Sequence, residues 1–324
     1  MNVLVVGGAG YIGSHMCKRL AEAGHHVVVL DNLSTGHRSA VQWGELVEAS
    51  LGDGEAVAQT LRQHRIEVVM HFAASSLVGE SMTHPYRYYA NNVGATLALL
   101  QAMHDNGVSQ FVFSSTAAVF GEPETELIDE QHPCRPINPY GNSKLAVELM
   151  LDDAARAYGL RATALRYFNA AGACDSRLIG EKHEPETHLI PRLLRRAAGE
   201  ALDVKVFGTD YATRDGTCVR DYVHVCDLAD AHLLALEYSR AQPGFHRFNL
   251  GNGDGYTVLE VLRAAEDVVG RSLDVPHGPR RAGDPAMLVA SSDKARKVLG
   301  WQPSRADIRQ IVADAWAWHQ QPAY

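Results

Sequence analysis

The chain has 324 residues, 46% of them apolar, enough to bury a sizeable core as one large domain or two modest ones. Thirty basic against 38 acidic side chains give a formal net charge of -8, which offers nothing to nucleic acid or to an anionic membrane surface, so any phosphate recognition must come from local sites. The five cysteines form an odd set with no C-x-x-C pair. That argues against a disulfide framework and against a zinc site, and makes the cytoplasm the expected compartment. The sixteen histidines show no H-x-x-x-H spacing and no His/Cys cluster, so no metal site is expected. The N-terminal apolar run lacks a basic n-region with a cleavage site, and no apolar stretch approaches the length of a membrane span, so neither an export signal nor a spanning helix is expected.

In chain order, short β-branched runs at Val3 to Val6, Val27 to Leu30, Val68 to His71, Phe111 to Phe113 and Thr163 to Tyr167 read as strands covered on both faces. Between them, Ile12 to Ala23, Gly54 to His64, Pro85 to Asn106 and Tyr140 to Ala157 carry apolar residues at helical spacing. Alternating β and α predicts an α/β fold with a doubly wound, Rossmann-like parallel sheet. After about residue 170 the regularity fades into Thr187 to Arg196, Val204 to Phe207, Arg220 to Val225 and Val258 to Val269, which reads as a second, smaller lobe. The expected division is 1–170 for the first domain and 171–324 for the second, with room for some strands and helices of the second to return to the first. A crevice between the lobes is the natural ligand site.

The first strand runs directly into Gly7-Gly-Ala-Gly10-Tyr-Ile-Gly13 and a helix start. Glycines there let backbone N–H groups approach a pyrophosphate at the positive end of the helix. The second strand closes on Asp31, whose carboxylate suits an adenosine ribose and repels a 2′-phosphate, so a dinucleotide is expected and NAD is favoured over NADP. Tyr140 and Lys144 stand about one helical turn apart, on one face of a helix. A cation near a phenol favours the phenolate, a base able to take a proton from an alcohol.

The G-x-x-G-x-x-G spacing and the Tyr-x-x-x-Lys pair resemble the short-chain dehydrogenase/reductase superfamily. The ordered set Gly7-Gly-Ala-Gly-Tyr-Ile-Gly-Ser-His15, Leu30-Asp-Asn-Leu-Ser34, His71-Phe-Ala-Ala74, Val78-Gly-Glu-Ser81, Tyr88-Tyr-Ala-Asn-Asn-Val93, Phe113-Ser-Ser-Thr-Ala-Ala-Val119, Asn138-Pro-Tyr-Gly-Asn-Ser-Lys144, Leu165-Arg-Tyr-Phe-Asn169, Arg220-Asp-Tyr-Val-His-Val225 and Arg280-Arg-Ala-Gly-Asp284 resembles the UDP-glucose 4-epimerases over nearly the whole chain. The resemblance implies NAD as cofactor, a UDP-sugar as substrate, a homodimer paired through the helices at Pro85 to Asn106 and Tyr140 to Ala157, and transient oxidation at C4 of the sugar. Tyr140 would be the base, Lys144 would lower its pKa and hold the nicotinamide ribose, and Thr116 would bond the 4-oxygen.

By the same resemblance, Gly7, Gly10, Tyr11, Ile12, Gly13, Asp31, Asn32, Ser50, Leu51, Phe72, Ala73, Ala74, Asn91 and Phe168 join Thr116, Tyr140 and Lys144 on the cofactor side. Asn169, Leu189, Lys205, Phe207, Arg220, Tyr222, Arg281, Asp284 and Leu288 fall on the UDP-sugar side. Three departures matter. Ser50 stands where relatives carry an acidic adenine contact. A lysine found near Ser76 in some relatives is absent. Leu288 replaces a bulky tyrosine, leaving room for an N-acetyl group at C2. Related dehydratases carry an acidic pair directly after the threonine; here Ala117 and Ala118 have no proton to give or take, which disfavours dehydration. Three readings remain: a UDP-galactose/UDP-glucose 4-epimerase, a 4-epimerase of another UDP-sugar such as an N-acetylhexosamine, uronate or pentose, and a non-catalytic NAD-binding sensor.

Overall fold

The computed structural model describes residues 1–281 and 284–324. Its centre is a parallel sheet built from β1 (Asn2–Val6), β2 (His26–Asp31), β3 (Glu45–Glu48), β4 (Val68–His71), β5 (Gln110–Ser114), β6 (Arg161–Tyr167) and, from much later in the chain, β11 (Phe245–Leu250), in the order β11-β6-β5-β4-β1-β2-β3. The strands are apolar on consecutive residues because both faces are buried. Val3 and Val5 point into one core with Met16, Leu20, Leu228 and Leu236, while Leu4 and Val6 point into the other with Val57, Leu99, Val147 and Leu151. The first core is covered by α1 (Tyr11–Glu22) and α6 (Val225–Ala241), the second by α2 (Gly54–Gln63), α3 (Ala95–Asp105) and α4 (Pro139–Tyr158). Each fully buried Val or Leu side chain contributes about 1.5–3 kcal/mol from area removed from water.

One finding differs from the pattern read in the sequence. The run Pro85 to Asn106 is not one α-helix: Pro85–Tyr88 passes into a π-helical stretch, Tyr89–Gly94, before α3 resumes. The widened turn has a local cause. The Asn92 side chain leaves the helix to accept from Ser75 N (2.8 Å), and to donate to Ser75 O and Ser143 Oγ, each at 2.9 Å. π-Bulges of this kind mark places where a helix serves a site beside it. The room left for later elements to return to the first domain is taken by β11, which pairs with β6 from Phe245 opposite Ala162 to Leu250 opposite Tyr167, and by α6, which packs on the large sheet. The half-polar sequence of β11, FHRFNL, hides it, because an edge strand needs full burial only where it meets its neighbour.

The remaining elements form the smaller part. β7 (Asn169–Ala171) pairs in parallel with β10 (Tyr222–His224), β8 (Val206–Phe207) with β13 (His277–Gly278), and β9 (Val219–Arg220) lies between β12 (Tyr256–Thr257) and β14 (Met287–Leu288). Helices α5 (Leu189–Ala197), α7 (Val258–Val269) and α8 (Ile308–Gln320) pack together over Ile190, Leu194, Val261, Ile311 and Tyr222. The α7 start is fixed by a capping box, Thr257 Oγ1 accepting from Glu260 N while the Glu260 carboxylate accepts from Thr257 N. No helix among the described residues is long and apolar enough to cross a membrane, and the five cysteines are free.

Candidate active site

Because the sheet is parallel, the ends of β1, β2, β4, β5 and β6 deliver Gly7, Asp31, Phe72, Ser114 and Phe168 to one edge, with the change of winding direction between β1 and β4. That is where an open α/β sheet places its ligands. Gly7 has φ +82°, and a Cβ there would lie 2.5 Å from Ala73 N; one at Gly13 would lie 2.1 Å from Gly7 O. Only glycine lets the loop fold this tightly under the N-terminus of α1, whose Gly10 cap supplies no side-chain bond and whose first turn carries no acidic residue. The exposed positive end of the helix dipole is thus kept for an anion. Asp31 fixes the loop, its two oxygens accepting from Ala9 N (3.0 Å) and Leu33 N (2.8 Å), while burial raises its pKa. A glycine cradle, an uncompensated helix start and a carboxylate at the end of β2 fit a dinucleotide.

The other cofactor-side residues are placed as follows. Ile12 packs against the core under α1, and Leu51 is buried in the opposite core. Tyr11 donates to Gly172 O (2.6 Å), tying α1 to the loop after β7. Phe72 stacks at 4.8 Å on the buried His232, and Ala73 N donates to Val6 O. Ala74 is half-buried beside them, and Asn32 is exposed. The Ser50 hydroxyl accepts from Gly52 N at 3.3 Å in the turn leading to α2. Asn91 is exposed, its amide donating to Asn92 Oδ1 (3.0 Å).

At the end of β5, Thr116 caps the short 3-10 turn Ala117–Val119, its hydroxyl accepting from Ala118 N (3.1 Å). Helix α4 begins immediately against this turn. Asn138 caps it by accepting from Gly141 N (2.8 Å), and a Cβ at Gly141 would stand 2.5 Å from Ala118 O. With no side chain at 141, α4 starts against this turn, and the Tyr140 phenol lies near enough to the Thr116 hydroxyl for that group to favour its ionised form. One turn on, Lys144 is buried, donating to Ser114 O (2.8 Å) with its ammonium 4.7 Å over the Phe113 ring.

Burial raises the Tyr140 pKa above the ordinary phenol value, and the Thr116 hydrogen bond pulls against that rise. Burial brings the Lys144 ammonium down to about 7, with Glu148 opposing, because a low-dielectric wall penalises any charge. Its proton is therefore held loosely, directed at the Ser114 carbonyl.

Glu148, one further turn along α4, was not legible as a functional residue. It is buried with Arg166, accepting at 2.9 Å and 2.5 Å, and it also accepts from Ser115 Oγ (2.6 Å) and Arg247 Nε (3.2 Å). The signal available was its position eight residues after Tyr140 on the same helical face. Asp221 was missed likewise. It accepts from the backbone N–H groups of Asn252 (2.9 Å) and Ala290 (3.2 Å), holding β9 and β10 to the loop after β11, and burial lifts its carboxyl to about 6.

On the substrate side the register of β14 with β9 sets Leu288 beside Arg220, and Arg220 pairs with Asp284. Leu288 and Phe168 both pack against the cluster of Ala117, Val119 and Phe120. The Arg281 guanidinium lies 4.0 Å over the Phe207 ring. The Asn169 amide donates to Asp221 O (2.9 Å), and Lys205 pairs with Asp203 at 3.1 Å. Leu189 opens α5. Tyr222 is buried in the core of the smaller part, so it can serve a ligand only as a wall.

The histidines also depart from expectation. Glu181, His183, Glu186 and His188 converge, with one ligand atom from each lying within 4.8 Å of all the others. Searching for H-x-x-x-H missed it because the donors alternate as E-x-H-x-x-E-x-H in a loop.

Residues 3–251 match the model of the NAD dependent epimerase/dehydratase family. A UDP-glucose 4-epimerase of Lacticaseibacillus casei is 51% identical over 321 residues, 99% of this chain and 97% of that one. Among solved structures, UDP-glucose 4-epimerase from Brucella ovis in complex with NAD superposes with a TM-score of 0.94 at 49% identity, covering 98% of this chain and 97% of that one. The UDP-Glc/GlcNAc 4-epimerase from Campylobacter jejuni follows with a TM-score of 0.88 at 41% identity, 99% of each chain being covered. The glycine cradle, the Tyr140–Thr116 pair and full-length similarity to such enzymes agree: the chain belongs to the NAD dependent epimerase/dehydratase family.

Proposed function

We propose that this chain interconverts UDP-galactose and UDP-glucose by transient oxidation at C4 of the sugar. The observation that carries the reading is the Tyr140 phenol set beside the Thr116 hydroxyl, at a turn continued by Ala117 and Ala118. A C4–H bond has no acidifying neighbour, so direct deprotonation is closed as a route. Thr116 bonds the 4-oxygen, and Tyr140 takes the 4-hydroxyl proton. NAD, when bound, would supply the acceptor for the C4 hydride and the donor that returns it to the opposite face of the ketone once the sugar has turned. Gly7, Gly10, Tyr11, Ile12, Gly13 and Asp31 hold it at the start of α1, with Asn32, Ser50, Leu51, Phe72, Ala73, Ala74, Asn91 and Phe168 around it. Lys144 holds the ribose and, with a pKa near 7, can replace a proton lost by Tyr140. The alanines after Thr116 offer no acid or base at C5 and C6, which keeps the ketone from losing water.

Arg220 and Arg281 take the diphosphate, because a guanidinium forks onto phosphate oxygens. The diphosphate would draw Arg220 from Asp284, freeing that carboxylate for a ribose hydroxyl. Asn169, Leu189, Lys205, Phe207 and Tyr222 line the nucleotide, and Leu288 the sugar. The division we propose assigns NAD to 1–170 and the UDP-sugar to 171–324, with α6 and β11 returning to the first. The exposed Tyr86, Leu97, Leu149 and Tyr158 lie on the two helices that would pair in a homodimer. Five free thiols suit the cytoplasm.

A second reading, 4-epimerisation of a UDP-N-acetylhexosamine, is favoured by the half-buried Leu288 and by the likeness to the UDP-Glc/GlcNAc 4-epimerase from Campylobacter jejuni. A panel of UDP-sugars followed by NMR at C4 separates the two. Turnover of UDP-galactose supports the first, turnover confined to N-acetylated sugars replaces it with the second, and none with any sugar sinks both.

A further inference from the structure

We propose that Glu181, His183, Glu186 and His188 form a closed four-ligand site for a first-row divalent cation, zinc above all, that fixes the conformation of the loop before α5. His183 Nδ1 stands 3.3 Å from Glu181 Oε1 and 3.5 Å from Glu186 Oε2, and His188 Nδ1 stands 3.9 Å from Glu186 Oε1 and in close contact with Glu181 Oε1. A tetrahedral zinc shell with bonds of about 2.0–2.1 Å has edges of about 3.4 Å; the three longer separations lie near that value, and an ion would have to part the closer His188–Glu181 pair. Two imidazoles with two carboxylates is a borderline N/O set that suits zinc better than calcium or magnesium.

Charge gives the same answer. The Glu181 and Glu186 side chains are only 6% and 2% exposed, and two carboxylates removed together from water need a compensating double positive charge. One divalent cation with neutral imidazoles supplies it, and so do two protonated imidazoles paired with the carboxylates; metal loading separates the two. The ligands are also held from behind. Thr187 N (2.8 Å) and His188 N (2.9 Å) donate to Glu186 Oε1, Trp318 Nε1 donates to Glu181 O (3.1 Å), and Tyr324 Oη donates to Gly180 O (3.1 Å). Such outer partners orient ligands.

Four protein ligands leave no open position, so the ion is structural. Its place gives it a consequence: His188 caps α5, next to Leu189, while the His183 ring stands edge-on to Tyr11 at 6.3 Å, at the cofactor helix. The ion would join the two binding regions through one loop.

The test uses untagged protein with its cofactor, stripped of metal, loaded with Zn2+ alone and desalted. About one zinc per chain by mass spectrometry is expected, with a fall in Tm of about 5 °C or more on adding a strong chelator. The His183→Ala/His188→Ala double variant should lose the metal and the chelator response. Metal-free wild-type protein overturns the proposal, as does undiminished zinc in the double variant. Should that variant not fold, Co2+ loaded into the wild type decides. Visible d–d bands without thiolate charge transfer support the site; absent bands, or a thiolate signature from the cysteines, overturn it.

Discussion

Tyr140, Lys144 and Glu148 repeat every four residues along α4, and each does a different electrostatic task. The phenol meets Thr116, the ammonium meets the Ser114 carbonyl, and the carboxylate meets Arg166. Tyr140→Phe removes the base and should lower kcat by about 10²- to 10⁴-fold while bound NAD, read from its absorbance after denaturation, stays at the wild-type level. Lys144 makes a pH prediction with a definite sign. Its folded pKa, about 7, lies below its ordinary value of 10.5, so between those values the unfolded chain binds a proton that the folded chain does not. Stability from this residue therefore rises with pH from about 7 upward and is least below 7. Urea midpoints of wild type relative to Lys144→Met should increase between pH 7 and pH 9; a flat or falling difference would show that the ammonium is not desolvated. Glu148→Gln leaves Arg166 buried without its carboxylate and should cost about 3–5 kcal/mol in urea unfolding.

Single elements place these residues by close approach of backbone. Gly141 lets α4 rest on Ala118 O, which is why Tyr140 reaches Thr116. Gly141→Ala should push the start of α4 off the turn and reduce kcat at least about tenfold while NAD content is retained; unchanged kcat would show that the contact does not position the phenol. The glycine loop, the Tyr-x-x-x-Lys turn and most core strands were legible because their signals are local: a run of β-branched residues, a turn that tolerates only glycine, one helical period. What was not legible depends on distant partners. β11 is recognisable only by the β6 edge it completes, the π-turn at Tyr89–Gly94 by the Ser75 loop that Asn92 reaches, and Glu148 by an arginine that arrives on β6. The Glu/His loop escaped because its spacing follows the loop's own path and no helical period.

At the scale of the molecule, the last strand of the large sheet follows the β9–β10 region in sequence, so the two parts cannot separate without unpairing β11 from β6. The register of β14 with β9 sets Leu288 and Arg220, both proposed for the UDP-sugar, side by side, with Leu288 against the turn after Thr116. The exposed Leu97 and Leu149 lie on the two helices proposed to pair; light scattering should give a dimer mass for the wild type and a monomer mass for Leu97→Asp/Leu149→Asp, and a wild-type monomer would refute the pairing. The central claim is that hydride leaves C4 and returns to it without meeting solvent. Incubating the purified protein with UDP-galactose in D2O, with no cofactor added, tests it most directly by proton NMR at C4. The account predicts a mixture of UDP-galactose and UDP-glucose whose C4 positions remain protonated with ordinary hydrogen; deuterium at C4, a 4-keto product, or no inversion at all would contradict it.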